Sequence, residues 1–142
     1  LLGLSSYMYY GNWDLGFTLR ASIGNYAYNN VASANGNQDN LYDLGTIRNA
    51  HASILDTNFR NPQYWSDYYI QDASFLKMDN ITLGYNFENI KNGDVRLRLY
   101  STIQNVFTVT DYDGLDPEIN GGIDNNFYPR PQTVLFGFNV NF

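Results

Sequence analysis

The chain has 142 residues and a net charge of −6; it is 17% aromatic but only 15% charged. No run of roughly 18 apolar residues occurs, so no helix of the chain spans a membrane, and the absence of cysteine excludes disulfides and thiolate chemistry. Fourteen acidic residues against eight basic ones make duplex nucleic acid an unsuitable partner.

Leu1 to Tyr10 reads as a strand with Leu2, Leu4, Met8 and Tyr10 on one face and Tyr7 and Tyr9 on the other. Gly11-Asn12 is a turn signal. From Trp13 the alternation is clear. Trp13, Leu15, Phe17, Leu19, Ala21 and Ile23 share one face, and Asp14, Gly16, Thr18, Arg20, Ser22 and Gly24 share the other. Residues 28–72 form a long connector rich in Asn, Ala, Ser and Gly. A short helix is expected within Asp39 to Asp56, through Leu41, Leu44 and Ile47.

A third strand is predicted over Ser74 to Phe87. Phe75, Ile81, Leu83, Tyr85 and Phe87 fall on one face, interrupted by Lys77 and Asp79; Met78, Asn80, Thr82, Gly84 and Asn86 fall on the other. A polar connector with Asn92-Gly93 leads into a fourth strand, Val95 to Val109, with Leu97, Leu99, Ile103 and Phe107 opposite Arg96, Arg98, Tyr100 and Thr102. Residues 110–130 are a second long connector, acidic and glycine-rich. In the last strand Val134, Phe136, Phe138, Val140 and Phe142 lie opposite Thr133, Leu135, Gly137, Asn139 and Asn141.

Connectors therefore alternate short and long, and the charged residues Asp14, Arg20, Arg96 and Arg98 all lie opposite a greasy face. A soluble aromatic-rich β-sandwich, such as a secreted glycan-binding module, predicts no such correlation. A transmembrane antiparallel β-barrel does: its apolar face meets lipid, its polar face a wet lumen, and short periplasmic turns alternate with long extracellular loops. The all-β reading is thus the C-terminal segment, about five strands, of an outer-membrane barrel. Residues 28–72 and 110–130 are expected outside the cell. Phe142 is expected at the periplasmic boundary, with Trp13, Tyr85 and Phe87 in the same aromatic girdle. The opening on Leu1 inside an apolar run suggests the C-terminal piece of something longer.

Several motifs carry a family likeness, specific from about Asn61 onward. Ser74 to Tyr85, SFLKMDNITLGY, resembles the "SFLRLKNLTLGY" strand of SusC/RagA-like TonB-dependent transporters, with Lys77 where arginine is usual. Gln104 to Thr108 resembles their "QNLFT", and Tyr112 to Glu118 their "YxGxDPE". Phe127-Tyr128-Pro129-Arg130-Pro131, leading into the strand that ends on Phe142, resembles their final loop and strand. The resemblance implies a barrel of about 22 strands, plugged by a domain not in this chain. It also implies import of oligosaccharides or peptides, driven through the TonB system, with a SusD-like lipoprotein closing over the barrel. A barrel that anchors a surface assembly and transports nothing is the remaining alternative.

Candidate residues have competing readings. Tyr64, Trp65, Tyr68 and Tyr69 either contact ligand or lid partner, or belong to an aromatic belt and local loop packing. Arg20, Arg96 and Arg98 either touch the plug or an anionic substrate, or form ion pairs in a wet wall. Phe138, Val140 and Phe142 are expected to serve as the signal read by the barrel assembly machinery. His51 lies in a long connector without a nucleophile motif, so catalysis is not expected. The acidic run Asp111, Asp113, Asp116, Glu118 and Asp124 departs from calcium-loop spacing, and a structural role is expected in place of a metal site. No cofactor is expected.

Overall fold

The computed structural model describes residues 1–41, 49–90, 95–125 and 128–142. The chain divides into two compact units. Leu1–Ile23, Phe75–Val109 and Arg130–Phe142 form one; Gly24–Ser74 and Thr110–Pro129 form the other. Among the described residues the strands are β1 (Leu2–Tyr10), β2 (Trp13–Ser22), β3 (Tyr26–Tyr28), β4 (Ile70–Asp72), β5 (Phe75–Ile90), β6 (Val95–Thr110) and β7 (Thr133–Asn141).

The first unit is an antiparallel sheet in the order β1-β2-β5-β6-β7. The five predicted strands are all present. Tyr10 pairs with Trp13 across the two-residue turn, where Gly11 takes φ 57°, a left-handed value that glycine adopts without a steric penalty. Registry joins like faces: Leu4 opposes Leu19, Leu15 opposes Leu83, Phe17 opposes Ile81, and Leu99 opposes Phe138. The Asn92-Gly93 turn expected between β5 and β6 lies outside the described residues.

One register shift corrects the sequence reading. Thr18 pairs with Asn80, but Leu19 pairs with Met78, so Asp79 is the extra residue of a β-bulge. An inserted residue reverses the faces of everything before it. Leu76 and Met78 therefore share the apolar face, opposite Ala21 and Leu19, while Phe75 and Lys77 join the polar face opposite Ser22 and Arg20. Phe75 and Lys77 are both buried there, with Lys77 Nζ 5.0 Å from the centre of the Phe75 ring. The two charges that seemed to interrupt a greasy face are not on it.

The apolar face of this sheet is uncovered. Leu2, Leu4, Met8, Leu83, Leu99, Phe136 and Phe138 are exposed. A soluble sandwich packs a second sheet about 10 Å away against such a face. Among the described residues the buried apolar cluster lies instead in the second unit: Ala27, Ala73 and Tyr112, with Ile119 packed against it.

That second unit gathers both long connectors. β3 and β4 pair antiparallel, with Tyr26 opposite Asp72 and Tyr28 opposite Ile70. A parallel bridge from Tyr28 to Ile123 ties residues 110–129 to them. Helix α1 (Asn30–Asn35) begins at Asn29, whose side chain accepts from Ala32 N at 2.9 Å, the usual role of an N-capping asparagine. A second short helix, α2, covers Ile54–Thr57. The helix expected through Leu41, Leu44 and Ile47 is not seen where it is described: Asp39–Leu41 is a 3-10 turn, and Leu44 and Ile47 lie outside the described residues.

Candidate functional site

On the polar face of the sheet, acids and arginines pair across strands. Arg98 of β6 grips Asp14 of β2 with both arms of its fork, Nε to Oδ2 at 2.9 Å and Nη2 to Oδ1 at 2.5 Å. The reach spans β5, and it is possible because Gly84, directly opposite Asp14, has no side chain: a Cβ there would collide with the carboxylate. Asn86 adds a third donor to Asp14 at 3.0 Å. Arg20 grips the bulged Asp79 in the same two-pronged way, at 2.5 and 2.9 Å. Thr82 and Thr102 join hydroxyls at 2.8 Å between these pairs. Arg96 is exposed and lines a shallow depression with Asn86, Asn139 and Asn141.

On the apolar face, Trp13 packs edge-on against Tyr85 with ring centres 4.8 Å apart, and Tyr85 against Phe87 at 4.7 Å. Phe138, Val140 and Phe142 are exposed on that face of β7 and beyond it.

The four aromatic candidates of the second unit separate by burial. Tyr64, Trp65 and Tyr68 are exposed, whereas Tyr69 is 1% exposed and belongs to the interior. Trp65 is held in an unusual way. Its φ is 60°, a left-handed value rare for a bulky side chain. Its backbone N–H donates to the Tyr28 hydroxyl at 2.9 Å, and its ring stacks on the Tyr28 ring at 5.7 Å. The same hydroxyl donates to Ser33 Oγ, and Ser33 in turn donates to Gln63 O. Residues 63–65 are thus clamped to α1 while the indole remains 79% exposed. Backbone strain that the surroundings over-determine is a mark of functional positions.

Beside this clamp lie two adjoining cavities that share His51 and Asp113. One, of about 550 Å³, is lined also by Ser53, Asp56, Tyr68, Tyr69 and Gln71; the other, of about 200 Å³, by Asn29, Leu115 and Asp124. His51 Nδ1 is 3.0 Å from Ser53 Oγ and accepts from Ser53 N at 3.2 Å. Gln71 Nε2 donates to Asp113 Oδ2 at 2.9 Å. Burial and the adjacent Tyr68 and Tyr28 push the Tyr69 phenol up. Tyr112 donates to the buried Asp124 at 2.8 Å, and burial together with that carboxylate raises its phenol well above the usual tyrosine range. Asp116 Oδ1 accepts from Glu118 N at 2.9 Å. Within the acidic run Asp113, Asp116 and Asp124 thus accept hydrogen bonds inside this unit. Among the described residues no three acidic or histidine side chains converge closely enough to hold a metal ion.

The sequence did not mark His51, Asp56, Gln71 and Asp113 as one group. They come from separate parts of the connectors, and no periodicity links them. The one available signal was Asp113, inside the Tyr112 to Glu118 motif.

No family profile matches the chain. Individual proteins do. It is 43% identical to the TonB-dependent receptor SusC of Bacteroides thetaiotaomicron, across 100% of this chain and 15% of that protein. The chain belongs to the SusC/RagA-like TonB-dependent receptors. It is also 29% identical to the TonB-dependent receptor P3 of Formosa agariphila, across 99% of this chain and 16% of that one. The fold is similar to part of the RagAB peptide transporter structure, with a TM-score of 0.75 at 22% identity over 92% of this chain and 16% of that structure's chain. The five-stranded sheet is accordingly a segment of a larger transmembrane barrel, and the chain spans about a sixth of the length of the receptors it matches. That assignment accounts for the uncovered apolar face, which in a SusC-like barrel is the surface that meets lipid.

Proposed function

We propose that this chain contributes wall strands and surface loops to an outer-membrane importer of oligosaccharides or peptides, energised through TonB and working with a SusD-like lipoprotein. One observation carries the reading. In a SusC-like sequence, the apolar face of the sheet is bare while paired charges line the other face. Charge pairs of this kind belong in a wet lumen, because in hydrocarbon each would cost several kcal/mol, roughly, to desolvate.

In this reading Arg20 and Arg98 are wall residues neutralised by Asp79 and Asp14, and Arg96 is the arginine presented to the plug or to an anionic substrate. Residues 28–72 and 110–130 lie outside the cell. The exposed rings of Tyr64, Trp65 and Tyr68 meet ligand or lipoprotein, and Tyr69 supports them from within. Phe142 lies at the periplasmic boundary, and the pattern Phe138, Val140, Phe142 is what the assembly machinery reads.

The test is deletion of the gene for the whole receptor, followed by uptake of labelled oligosaccharides and peptides in cells with and without TonB. Uptake should vanish in both mutants, and the protein should partition with detergent-extracted outer membranes. Uptake unchanged by the deletion would leave a barrel that only anchors a surface assembly. Recovery in the aqueous fraction would return the secreted glycan-binding module.

A further inference from the structure

Trp65 combines two properties that rarely occur together. Its indole is exposed, yet its backbone is fixed in the left-handed region and its N–H is held by the Tyr28 hydroxyl. The ring is mounted on the interior in two steps. It stacks on Tyr28 with 28° between the planes, and Tyr28 packs edge-on against the buried Tyr69 at 6.3 Å. Tyr68, also exposed, leans on the same Tyr69 at 5.1 Å and on Phe59 at 5.9 Å. Tyr64, next to Trp65 in the chain, is a third exposed ring. One face of the indole is thus occupied by Tyr28, and most of the rest stays in water. A large apolar ring left in water on a strained backbone is unfavourable on both counts, and covering the ring offsets that cost.

What covers it follows from shape and charge. Sites for small ligands are concave, and neither Trp65 nor Tyr64 lines the two cavities described above. A protruding, rigid tryptophan beside tyrosines is the kind of residue that dominates binding between proteins. Fixing it beforehand lowers the ordering cost of docking. The unit holds ten of the chain's fourteen acidic residues and two of its eight basic ones. A basic protein surface complements that charge, and an anionic lipid surface is repelled by it. We infer that Trp65 is the anchor through which this unit docks the lipoprotein, its indole entering an apolar pocket rimmed by lysine or arginine on that partner. The inference rests on the lipoprotein partner of the function proposed above. Tyr64 and Tyr68 flank the anchor, and Tyr28 and Tyr69 are its mount.

The experiment measures binding of the purified full-length receptor, in detergent, to the lipoprotein. Trp65→Ala and Trp65→Gly both remove the ring, and only the second relieves the backbone. Both should weaken binding about tenfold or more, mainly through faster dissociation, and Trp65→Phe should lose less. Rising salt should slow association of wild type and Trp65→Ala alike, because the charge lies elsewhere in the unit. Heat-modifiability of each variant confirms that the barrel is folded. Wild-type affinity in the alanine and glycine variants overturns the inference. So does a loss in Trp65→Ala that Trp65→Gly restores, since the backbone and not the ring is then responsible. Variants that keep the lipoprotein but lose binding of a malto-oligosaccharide or an alanine tetrapeptide overturn it by making the ring a ligand platform. Variants that destabilise the receptor alone as much as the complex overturn it by placing the ring against the receptor's own loops. Failure of the partner reading shows separately, as a wild-type receptor that does not bind the lipoprotein at all.

Discussion

Trp65 shows how little a single residue type reveals and how much its geometry adds. The sequence marks residues 64–69 as an aromatic cluster, but it cannot tell that Tyr69 is interior and Trp65 is strained and exposed, because their shared ring partner Tyr28 comes from more than thirty positions away. The strain makes a prediction. In Trp65→Ala the stack is lost and the left-handed backbone remains; in Trp65→Gly the stack is lost but the backbone is relaxed. The glycine variant should be the more stable by about 1–2 kcal/mol. Hydrogen exchange of the amide at position 65, which donates to Tyr28, should be slower in it. Faster exchange in the glycine variant would mean that the clamp, not the φ angle, sets the energetics. Tyr112 gives a second test. A phenol whose ionisation is pushed up on folding stabilises the folded unit fully below the ordinary tyrosine pKa of about 10. That contribution is lost as pH climbs through the raised value. Tyrosinate absorbance should therefore show, besides the raised Tyr69 phenol, a late-titrating one that coincides with loss of structure in alkali. Tyr112→Phe should remove it and cost about 1–2 kcal/mol, since buried Asp124 loses a donor. A titration curve unchanged by Tyr112→Phe would show that the phenol ionises like its neighbours.

Strands were legible from the sequence because one side chain in two is apolar, and that period survives any tertiary context. The bulge was not legible, because it is a property of the pairing of β2 with β5 and not of either strand. Read alone, β5 looks like a greasy face broken by Lys77 and Asp79; paired, it has two consistent faces with Asp79 as the extra residue. The helices were illegible for a different reason. Helix α1 is one and a half turns long and depends on the Asn29 cap, too short for a 3.6-residue period to be seen. The bulge can be tested by separating its charge from its length. Asp79→Asn keeps the extra residue and removes the charge from a pair whose side chains are 31% and 25% exposed, so it should cost less than about 1 kcal/mol. Deleting Asp79 restores unbroken alternation and turns Lys77 and Phe75 to the opposite face. Heat-modifiable barrel in outer membranes should then fall sharply for the deletion and stay near normal for Asp79→Asn. Equal loss in the two variants would mean that the Arg20 pair, not the register, matters at this point.

At the scale of the molecule the two units divide the chain's chemistry between them. The sheet carries most of the basic residues and most of the exposed large apolar side chains, while the second unit carries most of the acid and the buried apolar cluster. A barrel wall needs no core of its own, because lipid covers one face and the lumen wets the other. The depth of each residue in that wall follows from the register. Trp13 opposes Tyr85 in the aromatic cluster, and Phe17 opposes Ile81 four residues farther along. Four residues of antiparallel strand advance about 14 Å. At the tilt usual for such barrels this is roughly 10 Å of depth, against an apolar band about 25 Å tall. If Trp13 and Tyr85 mark a membrane boundary, Phe17 and Ile81 are close to the midplane. Arginine on the lipid face costs about 2–4 kcal/mol at the midplane and about 0–1 kcal/mol near the boundary. Ile81→Arg should therefore destabilise the barrel by the larger amount and Tyr85→Arg by the smaller. Thr82→Arg, one position along on the other face, should cost little beyond its lost bond to Thr102. The measurement is unfolding in denaturant of the full-length receptor reconstituted in lipid vesicles. A gradient from 81 to 85, together with tolerance at 82, is the signature of a lipid-facing wall. Equal costs at 81 and 85 would move the girdle away from Trp13, and a larger cost at 82 than at 81 would put the polar face against lipid.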